Sequence, residues 1–419
     1  MIIYKVYKQF FKPIIYFILL FILKIIYPLI KIRFQEIETK NIGHYSKSIE
    51  IFLCEEELKI YKKNKLDFWI RNKTIANKFL LKKWNEQLYI LPSRFFLDFL
   101  KFLKKKNIKK FIIPYRHPHN YINKDWEYHT KENFKNLEMW NYYDNNFVLN
   151  RTKPRIIFSN NEVKNFQKKL DLFFKNVNQK KIILFYARDS FYRENQHRTQ
   201  KENMYWRNSN INTYIDAMNE MTKLSYLTVR MGKFLINKIS DDKNKLIFDY
   251  PFSKISSDFL DIFFCHACSF GIFDSGGFNS VPSLFRKPIS LVNITHKREI
   301  KNRNDSTSPL IIFKKIFSKK LNRQISFSEY EKLNIFKFQK DSDFKENHLE
   351  IIDNTSEEIK EIAIESELKF GSKNYKPDEE SIFLQRKAKK ILCGLSYGNL
   401  EYIDIGAHFL KNNKELLIN

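Results

Sequence analysis

Between residues 182 and 292, short apolar runs of strand length alternate with segments whose apolar residues recur at helical spacing. That alternation restricts the chain to an α/β fold built on a parallel sheet. Ile182–Tyr186, Tyr226–Val229, Leu246–Asp249, Phe270–Phe273 and Ile289–Val292 read as strands. Asn210–Leu224, Ser256–Ala267 and Asn279–Phe285 read as helices, the second capped by Ser256 and carrying Asp258 in its first turn. The succession predicts a doubly wound sheet, and such sheets gather their ligands at the carboxyl ends of the strands.

The residues at those predicted ends are the informative ones. Ala187-Arg188-Asp189-Ser190 follows the first strand, Arg230-Met231-Gly232 the second and Asp274-Ser275-Gly276-Gly277 the fourth. The chain has only 9 glycines, yet Gly232, Gly271, Gly276 and Gly277 lie close together in sequence. Arg188, Arg193, Arg198, Arg207 and Arg230 concentrate the scarce arginines in the same region. A strand–glycine turn–helix offers backbone N–H groups to an anion, and arginines from neighbouring strand ends add bidentate charge to the same oxygens. A glycine pair alone can simply make a tight turn, and a lone arginine can simply pair with a carboxylate. Three such pieces on one sheet edge favour diphosphate binding, by Arg188, Arg230, Gly232, Ser275, Gly276 and Gly277 with Arg207 and Asn208 in support.

The first half carries a second α/β pattern. Ser48–Cys54, Lys65–Ile70 and Phe111–Tyr115 read as strands, Thr74–Gln87 and Ser93–Lys105 as helices, the latter capped by Ser93. An amphipathic helix over Asn160–Asn176 leads to a domain junction at 178/179, giving an N-terminal domain of 35–178 and a C-terminal domain of 179–419. Ahead of both lies an apolar segment, FFKPIIYFILLFILKIIYPLIKI, near the roughly 20 residues a bilayer helix needs. No small-residue cleavage site follows it. It can span a bilayer, lie in the interface or pack as a domain helix. Its basic flanks and aromatic residues favour residues 1–34 as a membrane-associated helix, with the body on the cytoplasmic face of the inner membrane.

Composition enters mainly through charge. With 74 Lys+Arg against 47 Asp+Glu the net charge is +27. Lysine greatly outnumbers arginine, and Lys, Asn, Ile, Phe and Tyr are all abundant, which is how an AT-rich genome spells any protein. No element interleaves basic and aromatic residues as a nucleic-acid surface does, so nucleic acid is not an expected partner. The excess still suits anionic partners. The 4 cysteines do not form a disulfide framework. Cys265-His266-Ala267-Cys268 has no second pair and reads as core, and His117 and His119 suit an exposed loop, so no metal site is expected.

Taken together, YARDS (186–190), YWRNSNINTYIDAM (205–218), YLTVRMG (226–232) and SSDFLDIFFCHACSFGIFDSGGFNSVPSLFRKP (256–288) resemble a family of bacterial GT-B-type glycosyltransferases from surface-polysaccharide gene clusters. RFQEIETKNIGHYSKSIEIFL (33–53), IANKFLLKKW (75–84) and IGAHFLKNNKELL (405–417) are similar to the same family, whereas 117–150 and 297–340 match poorly. Arg188 beside an aspartate is also similar to the fucosyltransferase arginine that holds a nucleotide β-phosphate, although that pattern is R-x-D and this one R-D. The resemblance implies two Rossmann-like domains facing a cleft, a nucleotide-sugar donor held on the C-terminal one without metal, and a glycan or lipid-linked acceptor. Within that reading Arg188 and Arg230 stabilise the departing diphosphate. His44 is the first candidate for the base that takes the acceptor's proton, and Asp189 the alternative. A membrane-attached, non-catalytic polysaccharide assembly protein with a degenerate site is the competing reading.

Overall fold

The computed structural model describes residues 11–60, 66–71, 73–113, 144, 147–174, 181–189, 205–233, 235–240, 244–295, 310–335, 338, 340–394 and 403–418. The chain divides into two compact units, 1–142 and 143–419, so the helix following residue 159 belongs to the second.

In the first unit, strands β1 (Ile32–Ile37), β2 (Leu66–Arg71) and β3 (Tyr89–Leu91) form a parallel sheet in that order. Phe34 on β1 also bridges in parallel to Ile112. Arg33 lies opposite Asp67, and the two make a buried bidentate pair, Nε to Oδ1 at 2.7 Å and Nη2 to Oδ2 at 2.5 Å. Around the sheet lie helices α1 (Lys12–Ile26), α2 (Ile42–Glu57), α3 (Lys78–Asn85) and α4 (Arg94–Lys105). Ser93 caps α4 by accepting from the Phe96 amide, as the sequence predicts.

Two expectations change here. Ser48–Cys54, read as a strand, lies inside α2. Every residue from Tyr45 to Cys54 is buried, Ser46, Lys47, Ser48 and Glu50 included, so no exposed face gives this stretch a helical period. The N-terminal apolar segment is likewise not one helix to residue 34: α1 ends at Ile26 and Ile32 begins β1. No described helix is long and apolar enough to cross a membrane.

The second unit is organised by a seven-stranded parallel sheet. Its strands are β4 (Ile182–Tyr186), β5 (Leu227–Arg230), β6 (Ile247–Asp249), β7 (Phe270–Phe273), β8 (Ile289–Ile294), β9 (Leu310–Phe313) and, after β10 (Lys315–Ser318), β11 (Arg323–Gln324) and β12 (Leu349–Ile352), β13 (Asp404–Ile405). Their spatial order is β13-β9-β8-β7-β4-β5-β6, and β10, β11 and β12 form a separate antiparallel sheet. The five strands predicted between 182 and 292 are all present and all parallel. Counted within the sheet, the first strand, β4, has the second and third on one side and the fourth on the other, which is the Rossmann order. The direction of winding therefore reverses between β4 and β7.

Helices α5 (Asn160–Asp171), α6 (Ile215–Lys223), α7 (Asp258–Ala267) and α8 (Ser356–Ser366) serve this unit. A capping box at Ser159 and Glu162 starts α5. Ser257, one residue after the predicted cap, starts α7 by accepting from the Leu260 amide. Asn279–Phe285 is not an α-helix: Gly277–Ser280 and Pro282–Phe285 are two 3₁₀ turns. Pro282 has no N–H to give to a continuous ladder.

Candidate functional site

The point where the winding reverses is the place in a doubly wound sheet where ligands bind, and here it lies at the ends of β4 and β7. The two ends are tied together. The Asp274 amide donates to the Tyr186 carbonyl at 3.0 Å, and Asp274 Oδ2 accepts from the Arg188 amide at 2.6 Å and from the Ser209 hydroxyl at 2.5 Å. Ser209 returns its own amide to the Arg188 carbonyl at 3.0 Å. A buried carboxyl group thus fixes the backbone that carries Arg188 and the segment that carries Arg207 and Asn208.

The side chains converge accordingly. Arg188 donates through Nη1 to Asn208 Oδ1 at 2.6 Å. Arg207 donates through Nε and Nη2 to the buried Ser275 hydroxyl at 3.1 and 2.8 Å. Lys314, at the end of β9 and almost fully buried, donates to the carbonyls of Trp206 at 3.0 Å and Asn208 at 2.7 Å and pairs with Asp353 at 2.7 Å. Lys314 therefore pins the 205–207 turn that presents Arg207. Arg188, Arg207, Asn208 and Ser275, chosen from the sequence, form one cluster. A cleft of about 390 Å³ opens beside it, lined among others by Asp189, Asn208, Asn210, Asn212, Arg230 and Asp353.

Gly276 has ordinary extended dihedrals, but a Cβ there would meet Tyr186 Cε1 at 2.6 Å, so close approach to the β4 end demands glycine. Gly277 opens a 3₁₀ turn of four residues, not the α-helix the sequence predicts, and no helix-terminal anion site follows from it. Gly232 has φ +147° and a Cβ there would meet Leu235 Cδ1 at 2.8 Å; its role is to turn the chain after β5.

Arg230 lines the cleft, yet it is 2% exposed and its guanidinium is turned along the sheet. Its Nη1 donates to the Asn237 carbonyl at 2.7 Å and approaches Asp249 Oδ1 at 3.3 Å, at the end of β6. Arg230→Ala removes the donor to the Asn237 carbonyl and leaves Asp249 with the Ile239 amide, and is expected to cost about 2 kcal/mol of stability. A denaturant midpoint within error of the parent protein would show that this pairing is dispensable.

Asp189, the alternative base, lines the cleft and accepts from the Ile236 amide through Oδ2 at 3.1 Å. His44 belongs to the first unit, half-buried in the first turn of α2 rather than in a turn before a strand. Arg193, Arg198 and Ser190 of the arginine-rich segment, and His117 and His119, lie outside the described residues. Cys265 and Cys268 are free thiols buried at the end of α7, and burial raises both their pKa values. No group of three His, Cys, Asp or Glu side chains among the described residues could hold a metal.

Sequence reasoning passed over Asp274, Ser209, Lys314 and Asp353. Asp274 was visible as the first residue after a strand, but its burial was not. Burial pushes its carboxyl up to about 7 against the opposing pull of Ser209, the Arg188 amide and the Arg188 and Lys314 charges. Its Oδ1 is buried with no hydrogen-bond partner.

No protein-family model matches the chain, and no curated protein matches it. Among solved structures, E. coli ADP-heptose LPS heptosyltransferase II is similar at 10% identity and a TM-score of 0.38, over 67% of this chain and 90% of that one.

Proposed function

We propose that the second unit binds the diphosphate of a nucleotide-sugar and that the protein transfers the sugar to a glycan or lipid-linked acceptor in surface-polysaccharide synthesis. The observation that carries the reading is the convergence of Arg188 and Arg207, with Asn208 and Ser275, at the winding reversal of a Rossmann-ordered sheet. Two arginines held at the same sheet edge suit an anion with several oxygens on neighbouring phosphorus atoms. The asparagine-rich cleft next to them, lined by Asn208, Asn210, Asn212 and Asn237, offers amide donors and acceptors to sugar hydroxyls.

In this reading the sugar–phosphate bond breaks as the acceptor oxygen attacks, and negative charge grows on the departing diphosphate. Arg188 and Arg207 stabilise that charge, and the acceptor's hydroxyl proton passes to Asp189. Arg230 supports the cleft wall through Asp249. The resemblance of YARD, RMG and DSGG to GT-B glycosyltransferases supports the same assignment and implies no metal.

The test is a thermal-shift and turnover screen against UDP-, GDP-, CMP- and dTDP-sugars with the full chain. Stabilisation by one donor, competed by its free nucleoside diphosphate, followed by transfer to a glycan primer, is the expected result. Binding without any transfer or donor hydrolysis would favour the non-catalytic assembly protein. Indifference to every nucleotide would remove the proposal.

A further inference from the structure

Helix α1 is apolar around its whole circumference but packs along only one side. Tyr16, Leu20 and Leu23 are buried in one cluster with Phe99, Leu100 and Leu103 of α4 and with Phe34, Ile70 and Phe111. On the opposite side Ile14, Phe17, Ile18, Phe21 and Ile25 are all more than half exposed, with Phe21 at 64%, and Leu29 beyond the helix reaches 86%. At about 100° per residue these positions form one arc centred opposite the packed stripe. Soluble proteins rarely leave so continuous an apolar strip uncovered.

The surroundings of the strip identify its partner. The first 35 residues contain no Asp or Glu. Exposed Lys24 and Lys31 lie on and after α1, and exposed Lys101, Lys105, Lys106 and Lys110 on and after α4, the helix that α1 packs against. Lys106 Nζ sits 5.8 Å from the ring centre of Phe17 and Lys110 Nζ 4.7 Å from that of Tyr27, so the lysines border the apolar side chains themselves. The acid beside them, Asp98, is paired with Lys12 and Lys101. An apolar strip rimmed by cations fits the boundary between anionic lipid headgroups and acyl chains. A second copy of the chain would bring like-charged rims together.

We infer that α1 docks the first unit onto an anionic bilayer, lying in the plane of the interface with Phe17, Phe21 and Ile25 inserted. Its 15 described residues make about 22 Å, short of the roughly 30 Å hydrocarbon core, and its other side is committed to the protein, which suits a helix lying in the interface. The inference does not rest on the donor reading, since it concerns a different unit and a different ligand.

The experiment is flotation of the full chain with vesicles of equal parts phosphatidylglycerol and phosphatidylcholine, and with phosphatidylcholine alone. The parent protein should float with the first and less with the second. Ile18→Ser/Phe21→Ser/Ile25→Ser should reduce binding at least tenfold while leaving the unfolding midpoint unchanged or raised, because the replaced side chains are all more than half exposed. Lys105→Gln/Lys106→Gln should weaken binding about fivefold per lysine, on the anionic vesicles only. Phe21→Trp, which keeps the bulk, should shift its emission to the blue on vesicle addition even if the triple variant folds poorly. Undiminished flotation of the serine variant, or a Phe21→Trp protein whose emission vesicles leave unmoved, overturns the inference. So does a parent protein that ignores vesicles and is a dimer that the serine variant dissociates.

Discussion

Arg188→Ala is expected to weaken nucleotide-sugar binding tenfold or more and to lower turnover by a larger factor. A charge-assisted hydrogen bond to phosphate is worth roughly 1.5–3 kcal/mol in a partly desolvated site, which sets the tenfold floor. Turnover suffers more because charge accumulates on the diphosphate only as the glycosidic bond breaks, and that interaction is strongest in the transition state. Arg188→Lys keeps the charge and loses the planar fork, so it should restore binding only in part. Arg207→Ala should act in the same direction, since Ser275 at the end of β7 holds its guanidinium at the winding reversal. Exposed Lys168 on α5, changed to Ala, should leave both quantities unaltered and serves as the control for net charge. Titration calorimetry and initial rates check this. Folded Arg188→Ala and Arg207→Ala proteins with normal affinity and rate would place the diphosphate elsewhere.

Asp274→Ala is expected to destabilise the second unit by about 2–4 kcal/mol, because it leaves the Arg188 amide and the Ser209 hydroxyl without their buried acceptor. Asp274→Asn should stay within about 1 kcal/mol of the parent, as one amide oxygen can accept both donors. The two variants separate size from charge. The folded-state pKa of Asp274 is raised to about 7 from an ordinary 3.8, so the folded state holds a proton that the unfolded chain has released. The stability this group supplies is complete below about 4, falls as pH rises towards 7 and is absent above it. The Asn variant should lack that part of the pH slope in urea titrations. Donor binding should also weaken above about pH 7 in the parent, where an ionised Asp274 faces the diphosphate, and not in Asp274→Asn. Parallel pH profiles for the two proteins would mean that Asp274 is already ionised throughout.

Five of the seven strands of the second unit's sheet were legible in sequence, β9 and β13 being the exceptions, because each of the five is a short apolar run closed by polar or glycine-containing turns. Parallel strands covered on both faces keep that signature. Arg188 and Ser275 stood out because they follow predicted strands, and Arg207 and Asn208 because arginine, scarce in this chain, is concentrated around them. Helix α2 was misread because its burial on all sides erases the period, and β1 was absorbed into the apolar stretch that precedes it. The 3₁₀ turns after β7 were lost because apolar spacing at three and at four residues is hard to distinguish over so few positions.

The order of amino acids alone settled the fold class, the five strands between 182 and 292 and the residue types available at their ends. Which of those residues meet depended on long-range packing. The register of β4 against β7 brings Asp274 under Arg188, 86 residues away in sequence, and removes it from water. Lys314, from a stretch with no recognisable pattern, reaches the 205–207 turn only because β9 is laid down at its place in the sheet. Arg230 was equally promising by position, but the neighbouring β6 puts Asp249 within its reach and takes up its guanidinium. Local pattern fixes where strands begin and end; burial and pairing depend on which strands become neighbours, and that is set by packing the whole chain.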